Sequence, residues 1–217
     1  MTSSTLLQDT SHVCELVRSR MDGHSRLVVG IAGPPASGKS TLADAVVSHL
    51  NGADGSPGIK AALLPMDGYH LDNSLLRSRG LLARKGAPET FDSRGFCQAV
   101  SSLQSVKTEM FFPCFDRDLD IAIANSICVD PDVEAVVVEG NYLLLKCDPW
   151  NLLKDMFAVT VFLSPGLGIL RQRLRARWID HGLDSDTALR RVTQNDLPNA
   201  ELVIARSARA DIILDQT

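Results

Sequence analysis

The sequence has 217 residues, which is the length of one domain or of one domain with an insertion. Apolar residues make up 45% and charged residues 22%, a composition that excludes disorder, collagen and coiled coil as descriptions of the whole chain. The net charge of −4 argues against a general polyanion-binding surface, so we expect no nucleic acid partner.

The five cysteines are scattered, and none of them belongs to a C-x-x-C pair. A disulfide framework or a zinc site would need paired spacing, so reduced thiols are predicted. Residues 1–22 carry charges throughout, and no stretch of the chain approaches the about 18 apolar residues that a membrane span needs. We therefore expect a cytoplasmic protein with neither a secretion signal nor a membrane segment.

Short apolar runs rich in β-branched residues alternate with amphipathic segments along the chain. Such runs are typical of strands buried on both faces, and their alternation with helices predicts a parallel sheet between two helical layers. The predicted elements are, in chain order, a weak helix at 5–21, a strand at 26–32, a helix at 39–50, a strand at 61–66, a loop at 78–92, a helix at 95–107, short strands at 110–113 and 126–129, strands at 135–139 and 158–163, helices at 166–180, 185–194 and 198–208, and a strand at 211–214. Five of these strands would form a three-layer α/β/α fold, in which ligands bind beyond the carboxyl ends of the strands.

Residues 33–40 fit the pattern G-x-x-x-x-G-K-[ST] between a predicted strand and a predicted helix. Glycines let such a loop wrap closely around a phosphate chain, whose charge the backbone N–H groups and the helix N-terminus favour. The ammonium of Lys39 would reach the β- and γ-phosphates, and the hydroxyl of Ser40 would bind Mg²⁺. The strand–loop–helix context disfavours the alternative, a glycine-rich turn without function. The predicted nucleotide-binding residues are Gly33, Pro34, Pro35, Ala36, Ser37, Gly38, Lys39, Ser40 and Thr41.

Two other predicted strands are followed by an acidic residue. Asp67 comes after the strand at 61–66, where a carboxylate can face the γ-phosphate and accept the proton of an attacking hydroxyl. The alternative role for Asp67 is that of a helix cap or turn residue. Glu139 follows four apolar residues in the form of a Walker B segment, so its carboxylate would hold Mg²⁺. The alternative for Glu139 is an ordinary solvated strand end.

The predicted helix at 166–180 carries four arginines and would form part of a mobile lid over about 166–185. Its apolar stripe consists of Leu167, Leu170, Leu174 and Trp178. Arg173 and Arg177 flank one border of this stripe, from which a guanidinium can reach into a cleft while its stem is buried. We expect these two arginines to stabilise charge during phosphoryl transfer, with a solvated helix face as the alternative.

Six stretches of the sequence, taken in order, form a more specific pattern than the phosphate loop alone. They are 33–40, 65–70, 84–92, 113–117, 139–145 and 195–200. This series resembles the P-loop kinases of the uridine kinase, pantothenate kinase and phosphoribulokinase family, and within it the bacterial group labelled fructose-transport-system kinases. The resemblance extends from about residue 26 to the end of the chain. It implies a single P-loop NTPase domain over 1–217, with ATP and Mg²⁺ as cofactors and a small hydroxyl-bearing acceptor.

The resemblance also implies roles for individual residues. Asp67 matches the catalytic acid of the family, and acceptor-side segments would lie at about 68–95 and 110–120. Residues 115–117 lie where uridine kinases carry an aromatic-Asp-His series, but Arg117 replaces the histidine, which would suit a polyhydroxy or anionic acceptor. The predicted catalytic residues are Lys39, Asp67, Arg173 and Arg177. The predicted acceptor-binding residues are Asp67, Tyr69, His70, Arg84, Asp92, Asp116 and Arg117.

Three functions are weighed against one another. The favoured one is an ATP-dependent kinase that phosphorylates a sugar or a nucleoside-like acceptor, in the manner of a fructokinase or a uridine kinase. The alternative is a non-catalytic nucleotide-binding regulator associated with a sugar transport system, since fold alone does not determine function. A GTPase switch would need an Asn-Lys-x-Asp segment after a strand, and the sequence has none. The oligomeric state stays open, with a homodimer as the commonest closed arrangement.

Overall fold

A five-stranded parallel sheet forms the centre of the structure, which is a computed structural model that describes residues 3–23, 25–53, 55, 58–105 and 108–216. The strands are β1 (Leu27–Ala32), β2 (Ala61–Pro65), β3 (Met110–Asp116), β4 (Ile121–Val129), β5 (Ala135–Gly140), β6 (Val159–Pro165) and β7 (Ile212–Gln216). The α-helices are α1 (Ser3–Arg20), α2 (Lys39–Leu50), α3 (Asn73–Ser78), α4 (Ser93–Ser105), α5 (Leu167–Asp180), α6 (Ser185–Arg191) and α7 (Leu197–Arg206).

The main sheet has the strand order β2-β5-β1-β6-β7, and all four neighbouring pairs are parallel. Strands β1 and β5 are buried along their whole length, as expected for apolar runs covered by helices on both faces. The predicted α/β/α architecture with a five-stranded parallel sheet is therefore confirmed.

Alternate residues of β5 face opposite halves of the core, because successive side chains of a strand point to opposite faces. Val136 and Val138 pack in the half that includes Phe96 of α4. Val137 packs in the other half, which includes Leu42 of α2 and residues of α1. A third, smaller cluster joins α5 to the last helices and is centred on Leu170, Leu174, Val192, Leu197 and Ala200.

The hairpin formed by β3 and β4 differs from its prediction. Its strands run to Asp116 and begin again at Ile121, so only four residues separate them, and Asp120 adopts a left-handed conformation with φ of 56°. The predicted strands at 110–113 and 126–129 were too short, because Asn125 and Ser126 interrupt the apolar sequence of β4 and most of this strand is exposed rather than buried. Pairing with β3, rather than burial, defines this strand.

Two other segments depart from the predicted boundaries. The loop at 78–92 contains two short 3-10 turns, Leu82–Arg84 and Pro88–Thr90. The helix predicted at 185–194 leaves α-helical geometry after Arg191 and continues as a π-helical turn, Val192–Asp196. The end predicted for the helix at 95–107 lies outside the described residues.

Among the described residues, no helix combines the length and the apolar character needed to cross a membrane.

Candidate active site

The carboxyl ends of three strands meet at one edge of the sheet. Ala32 of β1 pairs with Gly140 of β5, and Pro65 of β2 pairs with Glu139. The phosphate loop, Asp67 and Glu139 therefore leave the sheet side by side, where parallel sheets place their ligands. A cleft opens at this edge, and the loop after β2, the hairpin and the helix α5 contribute side chains to its wall.

The phosphate loop adopts a strained, close-packed conformation. Ala36 and Gly38 are left-handed, with φ of 61° and 92°. A Cβ atom on Gly33 would lie only 2.8 Å from the Ser37 hydroxyl, so a side chain there would disturb the loop. The buried Ser37 hydroxyl has no hydrogen-bond partner among the described residues. The loop thus has the tight curvature of a phosphate cradle and a polar atom that a ligand would satisfy.

Lys39 and Glu139 form the charged centre of the site. Glu139 is 3% exposed, and burial raises the pKa of its carboxyl, whereas the Lys39 ammonium and a hydrogen bond from Ser40 lower it. Burial lowers the pKa of the Lys39 ammonium, whereas the nearby carboxylates of Glu139 and Asp67 raise it. The Oε2 atom of Glu139 is buried without a hydrogen-bond partner in the described part of the chain. Mg²⁺ prefers oxygen ligands, and the Ser40 hydroxyl and the unpaired Glu139 oxygen are such ligands. Ser40 and Glu139 therefore fit the predicted ion.

Asp67 lies in the 3-10 turn Met66–Tyr69, directly after β2. Its carboxylate lines the cleft and accepts a hydrogen bond from the Arg117 guanidinium, with 3.2 Å between Nη2 and Oδ2. The backbone carbonyl of Asp67 lies 2.8 Å from His70 Nδ1. Burial lowers the pKa of His70, although Asp67 acts in the opposite direction. The imidazole is therefore neutral near pH 7, and its Nδ1–H donates to the carbonyl.

Aromatic rings form one wall of the cleft. The ring of His70 lies between those of Phe91 and Phe115, with centroid distances of 4.0 Å and 4.6 Å. These rings come from the turn after β2, from the acceptor-side loop and from the hairpin, and all three line the cleft. Such a wall favours an acceptor with a flat or weakly polar face.

Lys85 joins the acceptor-side loop to the tip of the hairpin. Its ammonium donates to the side chain of Asn73 at 2.8 Å and to the backbone carbonyl of Asp120 at 2.9 Å. It also forms an ion pair with the Asp120 carboxylate at 2.8 Å. The side chain of Lys85 is only 8% exposed, and its Nζ lies 4.9 Å from the centroid of the Phe115 ring. Lys85 is not among the predicted acceptor-binding residues, because a single lysine in a basic loop carries no local signal.

Helix α5 places two of its arginines on the cleft side. The Nη1 atom of Arg173 donates to the carbonyls of Ala36 and Ser37, at 3.3 Å and 3.2 Å. Arg177 lines the cleft, and its Nε is buried without a hydrogen-bond partner among the described residues. Burial lowers the pKa of the Arg177 guanidinium, and nearby Arg117 acts in the same direction. The apolar stripe is shorter than predicted, because Leu167 at the start of the helix is 45% exposed.

Three predicted acceptor-binding residues make structural contacts instead of lining the cleft. The ring of Tyr69 packs against Phe96 at a centroid distance of 5.0 Å, and burial raises the pKa of Tyr69 to about 12. The carboxylate of Asp92 accepts the backbone N–H of Gly95 in the first turn of α4. The carboxylate of Asp116 accepts two backbone N–H groups of the hairpin turn. Their acceptor roles stay predictions.

Arg84 is also not among the residues that line the cleft, and its guanidinium contacts the π-helical turn and α7. Its Nη1 donates to the side-chain carbonyl of Asn195 at 2.8 Å, and its Nη2 to that of Asn199 at 3.4 Å. The amide of Asn195 donates in turn to the backbone carbonyl of Lys85 at 3.0 Å. Asn195 and Asn199 are both buried, so these bonds join the acceptor-side loop to the last helices.

Several cleft residues have no counterpart in the sequence-based set. Asn141 lines the cleft with a buried side-chain oxygen that has no hydrogen-bond partner in the described residues. Its position in the sequence, two residues after Glu139, could have indicated that it belongs to the site. The indole Nε1–H of Trp178 donates to Asp196 at 2.5 Å. The guanidinium of Arg191 lies 4.9 Å from the centroid of the Trp178 ring. These three residues belong to α5, α6 and the π-helical turn, and the packing of these consecutive segments brings them together.

Comparisons with known proteins give relatives that cover most of the chain, although no family model matches. The solved structure of a candidate fructose transport system kinase from Silicibacter sp. TM1040 is 41% identical, covers 94% of this chain and 98% of that one, and has a TM-score of 0.87. The uncharacterized protein YggC of Escherichia coli (strain K12) is 35% identical over 193 residues, or 88% of this chain and 78% of that protein. A candidate uridine kinase, C227.14, of Schizosaccharomyces pombe is 31% identical over 198 residues, or 88% of this chain and 83% of that protein.

Proposed function

The chain belongs to the P-loop kinase family of uridine kinase, pantothenate kinase and phosphoribulokinase, and from this premise we propose that it transfers the γ-phosphoryl group of ATP to a hydroxyl of a small molecule. The observation that carries the proposal is the position of Asp67. Its carboxylate lines the same cleft as the phosphate loop and acts electrostatically on Lys39. Donor cradle and proton acceptor thus share one cavity, as phosphoryl transfer to a hydroxyl requires.

Each charged residue has a part in this reaction. Asp67 would accept the proton of the acceptor hydroxyl as its oxygen attacks the γ-phosphorus. Lys39 and Arg177 would stabilise the charge on the phosphoryl oxygens, and Arg173 would keep the phosphate loop in shape through its bonds to loop carbonyls. Ser40 and Glu139 would hold Mg²⁺, which when bound neutralises charge on the β- and γ-phosphates.

For the acceptor, we propose a neutral sugar or nucleoside-like compound. The hydrogen bonds of Lys85 go to Asn73 and Asp120, so its charge is balanced within the protein. An anionic acceptor group would have to compete with the Asp120 carboxylate for that cation. The aromatic wall around His70 offers a surface on which a sugar face or a base can pack. The sequence led us to expect either a polyhydroxy or an anionic acceptor, and these contacts favour the polyhydroxy acceptor.

The test is a screen for acceptor-dependent ADP release with sugars, nucleosides and their carboxylated or phosphorylated analogues. A neutral acceptor found in this way is then used with the variant Asp67→Asn, which keeps the size of the side chain and removes the proton acceptor. We expect kcat to fall by about 10²–10⁴-fold, with the dissociation constant of MgATP within about threefold of the original.

Asp155→Asn is the matched control, because Asp155 is exposed and lies outside the cleft. Full turnover by Asp67→Asn would refute the assignment of the proton acceptor. Nucleotide binding without turnover on any acceptor would favour the regulator instead.

A further inference from the structure

Arg117 reaches the proposed proton acceptor from a separate element of the fold. It lies in the turn between β3 and β4, and its side chain is 50% exposed. Its guanidinium forms an ion pair with the Asp67 carboxylate, which is 25% exposed. The tip of the same hairpin is fastened to the acceptor-side loop by Lys85 and Asp120. The turn is therefore held in place, and the long, half-exposed side chain of Arg117 extends from it to Asp67.

The ion pair occupies a group that phosphoryl transfer needs. The Oδ2 atom of Asp67 accepts from Arg117 at 3.2 Å, so a nucleophile that donates its proton to this oxygen has to compete with the guanidinium. Arg117 also acts electrostatically on Lys39 and Glu139, which places its charge within the same cluster of ionised groups. The structure thus shows one oxygen of the Asp67 carboxylate paired with a guanidinium.

We propose that Arg117 determines which nucleophile Asp67 can activate, by withholding the carboxylate from water and releasing it to an acceptor. This inference rests on the proposed kinase function. An acceptor brings contacts with the aromatic wall, and the free energy of those contacts offsets the loss of the ion pair. A water molecule brings no such contacts, so it cannot displace the guanidinium as readily. Arg117 is in this sense a specificity-determining residue for hydroxyl acceptors over water.

The reaction that Arg117 suppresses is the hydrolysis of ATP. In that reaction the water oxygen bonds to the γ-phosphorus and the bond from the γ-phosphorus to the β–γ bridging oxygen breaks. Asp67 takes one proton of the water, and the bridging oxygen leaves with the bonding electron pair on ADP. The products are ADP and inorganic phosphate.

The test is the rate of MgATP hydrolysis without any acceptor, measured as ADP release from the full chain. Arg117→Met removes the charge and keeps an unbranched side chain of similar reach. We expect hydrolysis to rise about fivefold, the ratio expected when a half-exposed ion pair worth about 1 kcal/mol is removed. Arg117→Lys, which can still pair with Asp67, should remain closer to the original rate than Arg117→Met.

A double variant shows whether the effect passes through Asp67. In Asp67→Asn combined with Arg117→Met, hydrolysis should equal that of Asp67→Asn alone, because the group that Arg117 masks has been removed. The control is Arg20→Met, which breaks the exposed ion pair with Asp211 outside the cleft and should leave hydrolysis unchanged.

Three outcomes decide the proposal. An increase with Arg117→Met that disappears in the double variant supports it. An unchanged or lower rate of hydrolysis in Arg117→Met overturns it, and so does an increase that persists when Asp67 is replaced. The dissociation constant of MgATP is measured as well. If the original protein does not bind MgATP, the proposed kinase function is wrong, whatever the effect of replacing Arg117.

Discussion

Asn195 connects two parts of the cleft, and its replacement by alanine offers a quantitative test of the structure. Asn195 is 3% exposed and lies in the π-helical turn Val192–Asp196. Its side-chain carbonyl accepts from the Arg84 guanidinium at 2.8 Å, and its amide donates to the Lys85 carbonyl at 3.0 Å. The amide of Asn199 also donates to the Asn195 carbonyl, at 3.4 Å, which is long for a hydrogen bond, so this contact contributes little. The variant Asn195→Ala removes all three bonds at once.

The expected loss of stability follows from these contacts. The bond to Arg84 contributes about 1 kcal/mol after allowance for the partial exposure of that side chain, and the bond to the Lys85 carbonyl contributes about 1 kcal/mol. The carbonyl that remains buried without a donor adds about 1 kcal/mol. We therefore expect the free energy of unfolding to fall by about 3 kcal/mol. For a chain of this length, that corresponds to a decrease in Tm of about 6–12 °C.

The assay is thermal unfolding followed by circular dichroism, together with urea unfolding at constant temperature. Asn151→Ala is the matched control, because Asn151 is exposed and an exposed substitution changes stability by about 0.5 kcal/mol or less. If the two alanine variants unfold at the same temperature, the hydrogen bonds of Asn195 do not stabilise the fold and the reasoning is wrong.

Two further substitutions test other parts of the cleft. Burial lowers the pKa of His70, so the unfolded chain takes up a proton below about pH 6.5 while the folded chain does not, and stability falls as the pH decreases through this range. His70→Phe should therefore lose less Tm between about pH 7.5 and 5 than the original protein, and equal losses would contradict this. A Cβ atom on Gly68 would overlap the backbone carbonyl of Pro113, so Gly68→Ala should lower the free energy of unfolding by about 2 kcal/mol in urea titrations. In the control Gly166→Ala, no atom lies within 4 Å of the added Cβ, and a similar loss in both variants would show that the close approach is not the cause.

The elements at the sheet edge were predictable because their signals are local. The phosphate loop needs left-handed and side-chain-free positions, and these appear in the sequence as Gly33 and Gly38. Asp67 follows the apolar run of β2, Glu139 ends the buried apolar run of β5, and parallel pairing then brings them to one edge. Short-range patterns together with one rule of sheet topology thus suffice for this half of the site.

The opposite wall was less predictable because pairing and packing determine it. Strand β4 is mostly exposed although seven of its nine residues are apolar, so its extent follows from pairing with β3 and not from burial. The position of Lys85 depends on the hairpin turn at Asp120, about 35 residues away in sequence, a separation that no local pattern can bridge. The contact between Trp178 and Asp196 likewise depends on how α5 packs against the π-helical turn.

Arg84 shows why a matching stretch does not by itself define the role of each residue in it. The stretch 84–92 does contribute to the cleft, through Lys85 and Phe91, but the guanidinium of Arg84 points to Asn195. The next residue of the π-helical turn, Asp196, accepts from the indole of Trp178 on α5. Two consecutive residues of one turn therefore hold the acceptor-side loop and the arginine-bearing helix. Because both attachments belong to the same turn, a displacement of the loop must strain or move the helix that carries Arg173 and Arg177.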